Sequence, residues 1–149
     1  MFLVFVFCDL GISRKRLAIG HQIEVRSRYV TSRQPDLLIH TDASRAAILS
    51  GERILRLTSP SPLLVVEVTS QSKTNSISRK RDYGRKASEY ADRGIPEYWI
   101  IDSDQEWVMV GTLADDAYQF ATFQTEQTIV SPTFPALHLT AAAVLSAGR

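Results

Sequence analysis

The chain has 149 residues and a formal net charge of +1, from 17 basic and 16 acidic residues. Hydrophobic residues make up 44% and charged residues 22%, which suits one globular domain over residues 1–149 and excludes a disordered or fibrous chain. Because the charge is nearly balanced, any nucleic acid would have to bind a local basic patch or a bound cation.

Residues 1–8 form an apolar segment, MFLVFVFC. It is too short to cross a membrane, which takes about 20 residues, and it lacks the features of a signal peptide. Its aromatic and β-branched side chains, followed by Gly11, predict a buried strand. Cys8 is the only cysteine, which excludes an intrachain disulfide and fits a reducing, cytoplasmic setting. No other stretch is apolar over a membrane-spanning length.

The next predicted elements are short. Loosely alternating apolar residues predict a strand within 17–30, bent near Gly20. A second strand over 35–39 begins with a proline, which is tolerated at the first position of a strand, and carries Asp36. Residues 41–51 predict a short helix or an irregular excursion.

Residues 63–68, LLVVEV, are the most hydrophobic run in the chain. A continuous run of this kind is typical of a central strand that is buried on both faces. It contains Glu67. Burying a lone carboxylate is costly unless it is paired or bound to a cation, so this residue is the strongest functional signal in the sequence.

A helix is predicted over 77–93, followed by a strand over 96–102. One helical face carries Tyr83, Ala87, Tyr90 and Ala91. Gly94 stands where a helix C-terminal glycine is expected, and a proline follows it at position 96. A strand, a crossover helix and a strand predict a βαβ unit with parallel, right-handed pairing.

The C-terminal third predicts short antiparallel strands at 107–111, 117–123 and 127–130. A last helical turn over 140–146 has Thr140 as its cap. The sequence therefore predicts an α/β fold, in which a helix crosses a mixed sheet between the strands of Glu67 and Trp99.

Two acidic residues on neighbouring strands, Asp36 and Glu67, could share a hard divalent cation. Mg²⁺ usually takes one or two carboxylates together with waters and substrate phosphate, and the backbone carbonyl of Val68 is a further candidate ligand. On the following helix, Lys86 could orient the attacking water or stabilise developing negative charge, with Asp82 one turn earlier as its orienting partner. These groups are the minimum set for phosphodiester hydrolysis.

Each residue also has a simpler structural interpretation. Asp36 could form a turn after its proline, and Glu67 could be a strand end or half of a buried salt bridge. Asp82 and Lys86 could be only an exposed ion pair. Tyr90, Tyr98 and Trp99 are predicted to be core or dimer-interface aromatics.

Other polar residues leave alternatives open. Thr69 and Ser70 could hydrogen-bond metal waters or cap the loop. The basic run at the helix start is either a solvated face or a set of phosphate contacts; it contains Arg79, Lys80, Arg81 and Arg85. The three histidines have no metal-ligand spacing and are predicted to be structural or exposed; they are His21, His40 and His138.

The acidic residues carry a family resemblance. Pro35-Asp36 and Glu67-Val68-Thr69 resemble the PD-(D/E)xK nuclease signature, with Thr69 where its lysine usually stands. The strings LLVVEVTSQS and RDYGRKASEYADRGIPEYWIID closely resemble the Uma-type (Uma-two) restriction endonuclease family. In that family the catalytic lysine lies on the following helix, and Lys86 occupies the matching position. The resemblance covers roughly residue 33 to the C-terminus.

The resemblance implies a restriction-endonuclease-like mixed sheet flanked by helices, in a bacterial, cytoplasmic and homodimeric protein. It also implies hydrolysis of DNA phosphodiester bonds with Mg²⁺ or Mn²⁺ and without an organic cofactor or a membrane. Relatives carry an N-terminal helical segment with its own acidic residue, so the resemblance implies that this chain begins inside the domain.

Two rival functions stay open. The chain could be a catalytically inactive nuclease-fold protein that acts in nucleic-acid binding or assembly. It could also be a metal-dependent hydrolase of another phosphoester. The feature that separates an enzyme from an inactive scaffold is whether Asp36, Glu67 and Lys86 converge in space.

Overall fold

The computed structural model of the chain describes residues 2–49, 52–69 and 76–147. Its elements in chain order are α1 (Phe2–Asp9), β1 (Leu17–Ala18), β2 (Gln22–Glu24), β3 (Ser32–Arg33), β4 (Leu37–Ile39), α2 (Asp42–Leu49), β5 (Ile54–Leu55), β6 (Leu64–Thr69), α3 (Ser76–Asp92), β7 (Glu97–Asp102), β8 (Trp107–Ala114), β9 (Ala117–Gln124) and α4 (Ala141–Ser146). Six strands form a mixed sheet in the order β1–β4–β6–β7–β8–β9, and three form a small sheet in the order β3–β2–β5. The predicted α/β class is confirmed.

The centre of the large sheet is the predicted strand–helix–strand unit. β6 and β7 run parallel, from Leu64 opposite Glu97 to Thr69 opposite Asp102, and α3 connects them. Val66 packs into the core on one face of the sheet, whereas Val65 packs into the core on the other. Because side chains alternate along a strand, Glu67 lies on the same face as Val65.

The C-terminal end of α3 is formed by Gly94, as the sequence predicted. Gly94 has a φ of +71°. Its N–H donates to the Ala91 carbonyl at 2.9 Å, and the Ile95 N–H donates to the Tyr90 carbonyl at 3.3 Å. This pair of bonds is the Schellman arrangement, which favours glycine at the left-handed position. It ends the helix just before β7.

The N-terminal segment is a helix, and its prediction as a strand was wrong. Leu3 and Phe7 of α1 are buried, whereas Phe5 is 69% exposed, which is a helical periodicity. The Phe7 ring lies 5.9 Å from that of Trp99, so α1 covers one face of the large sheet. Gly11, with a φ of +95°, ends this helix.

Three other segments differ in detail from their predictions. The strand expected within 17–30 is two strands, β1 and β2, which are separated by Gly20 and belong to different sheets. Residues 127–130 form no strand, because Thr128 makes only an isolated bridge to Thr140. Of the two alternatives for 41–51, the helix is present as α2. The predicted Thr140 cap is confirmed, since its hydroxyl accepts from the Ala143 N–H at 3.1 Å.

Tyr90, Tyr98 and Trp99 all have no exposed surface and belong to the core. An interface role for Tyr98 itself is therefore excluded in this fold. Across the described part of the chain, none of the helices has both the length and the apolar content that a membrane span requires.

Candidate active site

The fold brings together the three residues that the sequence proposed as catalytic. β4 and β6 are antiparallel, with Leu37 opposite Val66, and the continuation of this register places Asp36 opposite Glu67. The Asp36 Oδ2 atom accepts a hydrogen bond from the Val68 N–H at 2.7 Å. From α3, the Lys86 Nζ atom lies 3.3 Å from Glu67 Oε2. Asp36, Glu67 and Lys86 thus form one cluster.

Glu67 is held from two sides and is only 7% exposed. The Tyr90 hydroxyl donates to its Oε1 atom at 2.6 Å, and Lys86 donates to its Oε2 atom. Burial raises the pKa of Glu67, and the negative charge of Asp36 raises it further. Lys86 and the Tyr90 hydrogen bond lower this pKa without offsetting the increase. Burial therefore outweighs the Lys86 charge and the Tyr90 hydrogen bond, and the ionised form of Glu67 is less favoured than it is in water.

Lys86 has a second acidic neighbour. Its Nζ atom lies 3.5 Å from Asp82 Oδ2, one helical turn away, as the i, i+4 spacing predicts. Asp82 also lies 4.0 Å from the Arg33 guanidinium, which makes a two-pronged hydrogen bond to Glu89 at 2.7 and 2.8 Å. The lysine thus contacts both Glu67 and an ion-pair network that joins α3 to Arg33 of β3.

Thr69 lies at the end of β6 and is engaged within the sheet. Its hydroxyl donates to the Ile101 carbonyl at 3.2 Å, and it lies 3.4 Å from the Tyr83 hydroxyl. These contacts favour the structural alternative for Thr69. Ser70 lies outside the described residues, as do the side chains of Arg79 and Arg81.

The donor set fits a hard divalent cation. Among the described residues, no three or more histidine, cysteine, aspartate or glutamate side chains are grouped so that they could hold a metal ion. Asp36 and Glu67 would supply two carboxylates to such a cation, and waters, backbone or substrate would supply the remaining ligands. Mg²⁺ is usually bound in this way, whereas structural zinc is held by four nitrogen or sulfur ligands.

Sequence reasoning missed two residues of this cluster. Tyr90 was predicted only to be a core or interface aromatic, yet its hydroxyl holds Glu67; its position four residues after Lys86 could have indicated this. Arg33 pairs with Glu89 across 56 residues of chain, so no local pattern could have revealed it.

The histidines do not join the cluster. His21 Nδ1 lies 3.0 Å from His40 Nε2, and His40 Nδ1 lies 2.8 Å from the Ser44 hydroxyl. Burial lowers the pKa of His40 to about 4, with the charges of His21, Arg45 and Arg16 adding to the effect. His40 is fully buried and neutral at pH 7, and His138 is exposed, in agreement with their predicted structural or exposed roles.

Two comparisons with known proteins bear on the family and the fold of the chain. The family model Uma2, described as "Putative restriction endonuclease", matches residues 5–142. A crystal structure of a "putative nuclease belonging to DUF820" from Anabaena variabilis is similar with a TM-score of 0.65 and 17% identity, over 97% of this chain and 76% of that one. At this identity the likeness shows the fold alone. Curated proteins give no significant match. The chain belongs to the Uma2 restriction endonuclease family, the one that its motif strings resemble.

Proposed function

We propose that the protein is a metal-dependent nuclease that hydrolyses DNA phosphodiester bonds at the cluster of Asp36, Glu67 and Lys86. The observation that carries the proposal is the buried Glu67 carboxylate, which faces both a lysine and a second carboxylate. Membership of a family of nucleases supports phosphodiesters as the substrate class. The family resemblance also leads us to propose a homodimeric, cytoplasmic, bacterial protein.

Asp36, Glu67 and the carbonyl of Val68 would hold Mg²⁺ or Mn²⁺. When bound, such an ion lowers the pKa of a coordinated water and polarises the scissile phosphate.

The protein's own residues have separate tasks. Lys86 carries a positive charge beside Glu67, where its ammonium can donate a hydrogen bond to the attacking water or to a phosphate oxygen. Tyr90 is a positioning residue, because its hydroxyl fixes one oxygen of Glu67. Asp82 also forms an ion pair with Lys86. Removing Lys86 is expected to leave metal binding intact and to slow cleavage.

The test combines metal binding with cleavage. Calorimetric titration with Mg²⁺ and Mn²⁺ and a plasmid-nicking assay are made on the wild type and on Glu67→Ala. Glu126→Ala is the matched control, since Glu126 is an exposed carboxylate outside the cluster. We expect Glu67→Ala to lose metal binding and to reduce nicking by at least about 100-fold, the scale of removing one preorganised electrostatic group. The control should behave as the wild type.

Undiminished nicking by Glu67→Ala would show that the site assignment is wrong. Metal binding without nicking in the wild type would leave a metal site for another phosphoester. Absence of both in the wild type would support the inactive-scaffold alternative.

A further inference from the structure

A groove of about 730 Å³ lies between α3 and the loop that joins β2 to β3. The loop that carries Arg26, Arg28 and Tyr29 forms one wall, and α3 forms the other with Arg85 and Glu89. Its volume is within the range of about 300–1,000 Å³ that is typical of binding clefts.

Two arginines from different segments meet on one tyrosine ring in this groove. The guanidinium carbon of Arg85 lies 3.6 Å from the centre of the Tyr29 ring, and that of Arg28 lies 5.7 Å from it. Both distances are within cation–π range. Even so, Tyr29 remains 51% exposed, so part of its aromatic surface is available to a ligand.

The carboxylates of the groove are already engaged. Asp92 pairs with Arg26 at 3.2 Å, and Glu89 pairs with Arg33 at 2.7 Å. Over the ranges that the structure describes, neither Arg28 nor Arg85 has a carboxylate within 4.0 Å. Two guanidinium groups on one ring repel each other, and a bound anion would relieve that repulsion. The guanidinium groups of Arg28 and Arg85 therefore give the groove the positive charge that binds an anion.

The groove is connected to the cluster by a chain of contacts. Arg85 directly precedes Lys86 on α3. Glu89, in the groove wall, binds Arg33, which lies 4.0 Å from Asp82, the acidic neighbour of Lys86. The contacts of Glu89 and Arg33 thus link one wall of the groove to the acidic neighbour of Lys86.

We infer that this groove binds single-stranded DNA next to the cleaved bond. Arg28 and Arg85 bind two phosphates of the strand, and one unpaired base stacks on the exposed part of Tyr29. Tyr29 also positions the Arg85 guanidinium. A positive groove with an aromatic platform is the usual means of binding a single strand, and a base within a duplex has no free face to stack. The inference rests on the proposed function for the place of cleavage, and it extends the predicted phosphate contact of Arg85.

Binding of a fluorescein-labelled single-stranded oligonucleotide is measured by anisotropy in EDTA, so that cleavage does not interfere, and over a range of salt. The double variant Arg28→Ala/Arg85→Ala removes the two proposed phosphate contacts. Lys15→Ala/Arg53→Ala removes two exposed positive charges elsewhere and is the matched control. We expect the groove variant to bind at least about tenfold more weakly, with a salt slope smaller by about 1.4, which is about 0.7 for each phosphate. The control should change binding less than about twofold.

Tyr29 provides a second measurement. Tyr29→Phe keeps the ring and should bind as the wild type. Tyr29→Leu should bind about fivefold or more weakly, the scale of losing one stacked base. Its salt slope should stay closer to that of the wild type than the slope of the double arginine variant. Far-ultraviolet circular dichroism verifies that each variant is folded.

The outcomes separate this inference from the proposed function. Glu67→Ala should keep oligonucleotide binding in EDTA although it loses cleavage. If the wild type binds the strand through the groove but cleaves neither plasmid nor single-stranded DNA with Mg²⁺ or Mn²⁺, the groove is supported and the proposed function fails. If the wild type nicks DNA but the groove variants bind as tightly as it does, only the groove fails. Tighter groove-dependent binding of a duplex, or of polyglutamate, would overturn the inference in favour of paired DNA or an acidic protein.

Discussion

Two buried glutamates lie on adjacent parallel strands and have different surroundings. Glu97 begins β7 and has no exposed surface, and Glu67 lies near the end of β6 with 7% exposure. The Glu97 Oε2 atom accepts from the Trp99 indole at 2.7 Å and from the Ser131 hydroxyl at 2.6 Å. Its Oε1 atom accepts from the Thr133 N–H at 3.0 Å. Through Ser131 and Thr133, Glu97 thus attaches the segment after β9 to β7.

Burial alone does not tell these two residues apart. All three donors to Glu97 are neutral groups fixed in the fold, and together they use both of its oxygens. Glu67 instead has one neutral donor and one lysine, with a second carboxylate, Asp36, nearby. A saturated carboxylate of the first kind stabilises the fold. A like-charged neighbour disfavours the ionised form of a carboxylate, as Asp36 does for Glu67.

Isosteric variants should separate the two glutamates by stability. Glu97→Gln turns an amide N–H₂ toward groups that are themselves donors, so at least one of them loses its acceptor. We expect it to lower the free energy of unfolding by about 1–3 kcal/mol. Glu67→Gln retains an acceptor for Tyr90 and removes a buried charge, so it should leave stability unchanged or raise it. Urea denaturation at pH 7 in EDTA measures both, and an equal loss in the two variants would make Glu67 a structural residue like Glu97.

The raised pKa of Glu67 should also appear in the pH dependence of stability, as a smaller effect than the loss expected for Glu97→Gln. Because the folded-state pKa of Glu67 is raised above its ordinary value of 4.5, the folded protein holds this proton more tightly than the unfolded chain does. The contribution of Glu67 to stability is therefore fully present below pH 4.5 and is lost as the pH rises through its folded-state pKa. The wild type should thus become progressively less stable relative to Glu67→Gln over that interval.

His40 acts in the opposite direction. Its pKa is lowered to about 4 by burial, so its contribution is lost as the pH falls from 6.5 toward 4. Both proteins contain His40, and the difference between them cancels its effect. Unfolding free energies between pH 4 and 8 give the curve, and a difference that does not vary with pH would contradict the raised pKa of Glu67.

The central part of the fold was predictable because its signals are local. The continuous apolar run of β6, the helical spacing of α3 and the glycine at 94 each determine the structure of their own segment. The prediction of a strand for the N-terminal segment was wrong because an apolar run of eight residues has no period that separates a helix from a strand. Gly20 was predicted as a bend, but the sequence could not show that β1 and β2 join different sheets.

The site residues that could be predicted are those that are unusual for their position or that match a family pattern. A glutamate inside an apolar strand is an anomaly, and Lys86 follows from the family pattern. Tyr90, which donates a hydrogen bond to Glu67, is a common core residue and is not unusual for its position. The contacts of Arg33 with Glu89 and of His21 with His40 join residues 56 and 19 positions apart, and only the tertiary structure brings them together.

The smallest effects should come from changing the neighbours of Glu67 and leaving the glutamate itself in place. Asp36→Asn removes a negative charge while its amide oxygen can still accept from the Val68 N–H, so the pKa of Glu67 should fall. Lys86→Met removes the positive charge, so the same pKa should rise. Carboxyl carbon NMR of glutamate-labelled protein without metal follows Glu67 and Glu97 in one experiment. Opposite pKa changes at Glu67 in the two variants would show that charged neighbours govern this carboxylate. Shifts of the same sign would mean that the substitutions act through the fold, and the distinction between the two glutamates would then fail.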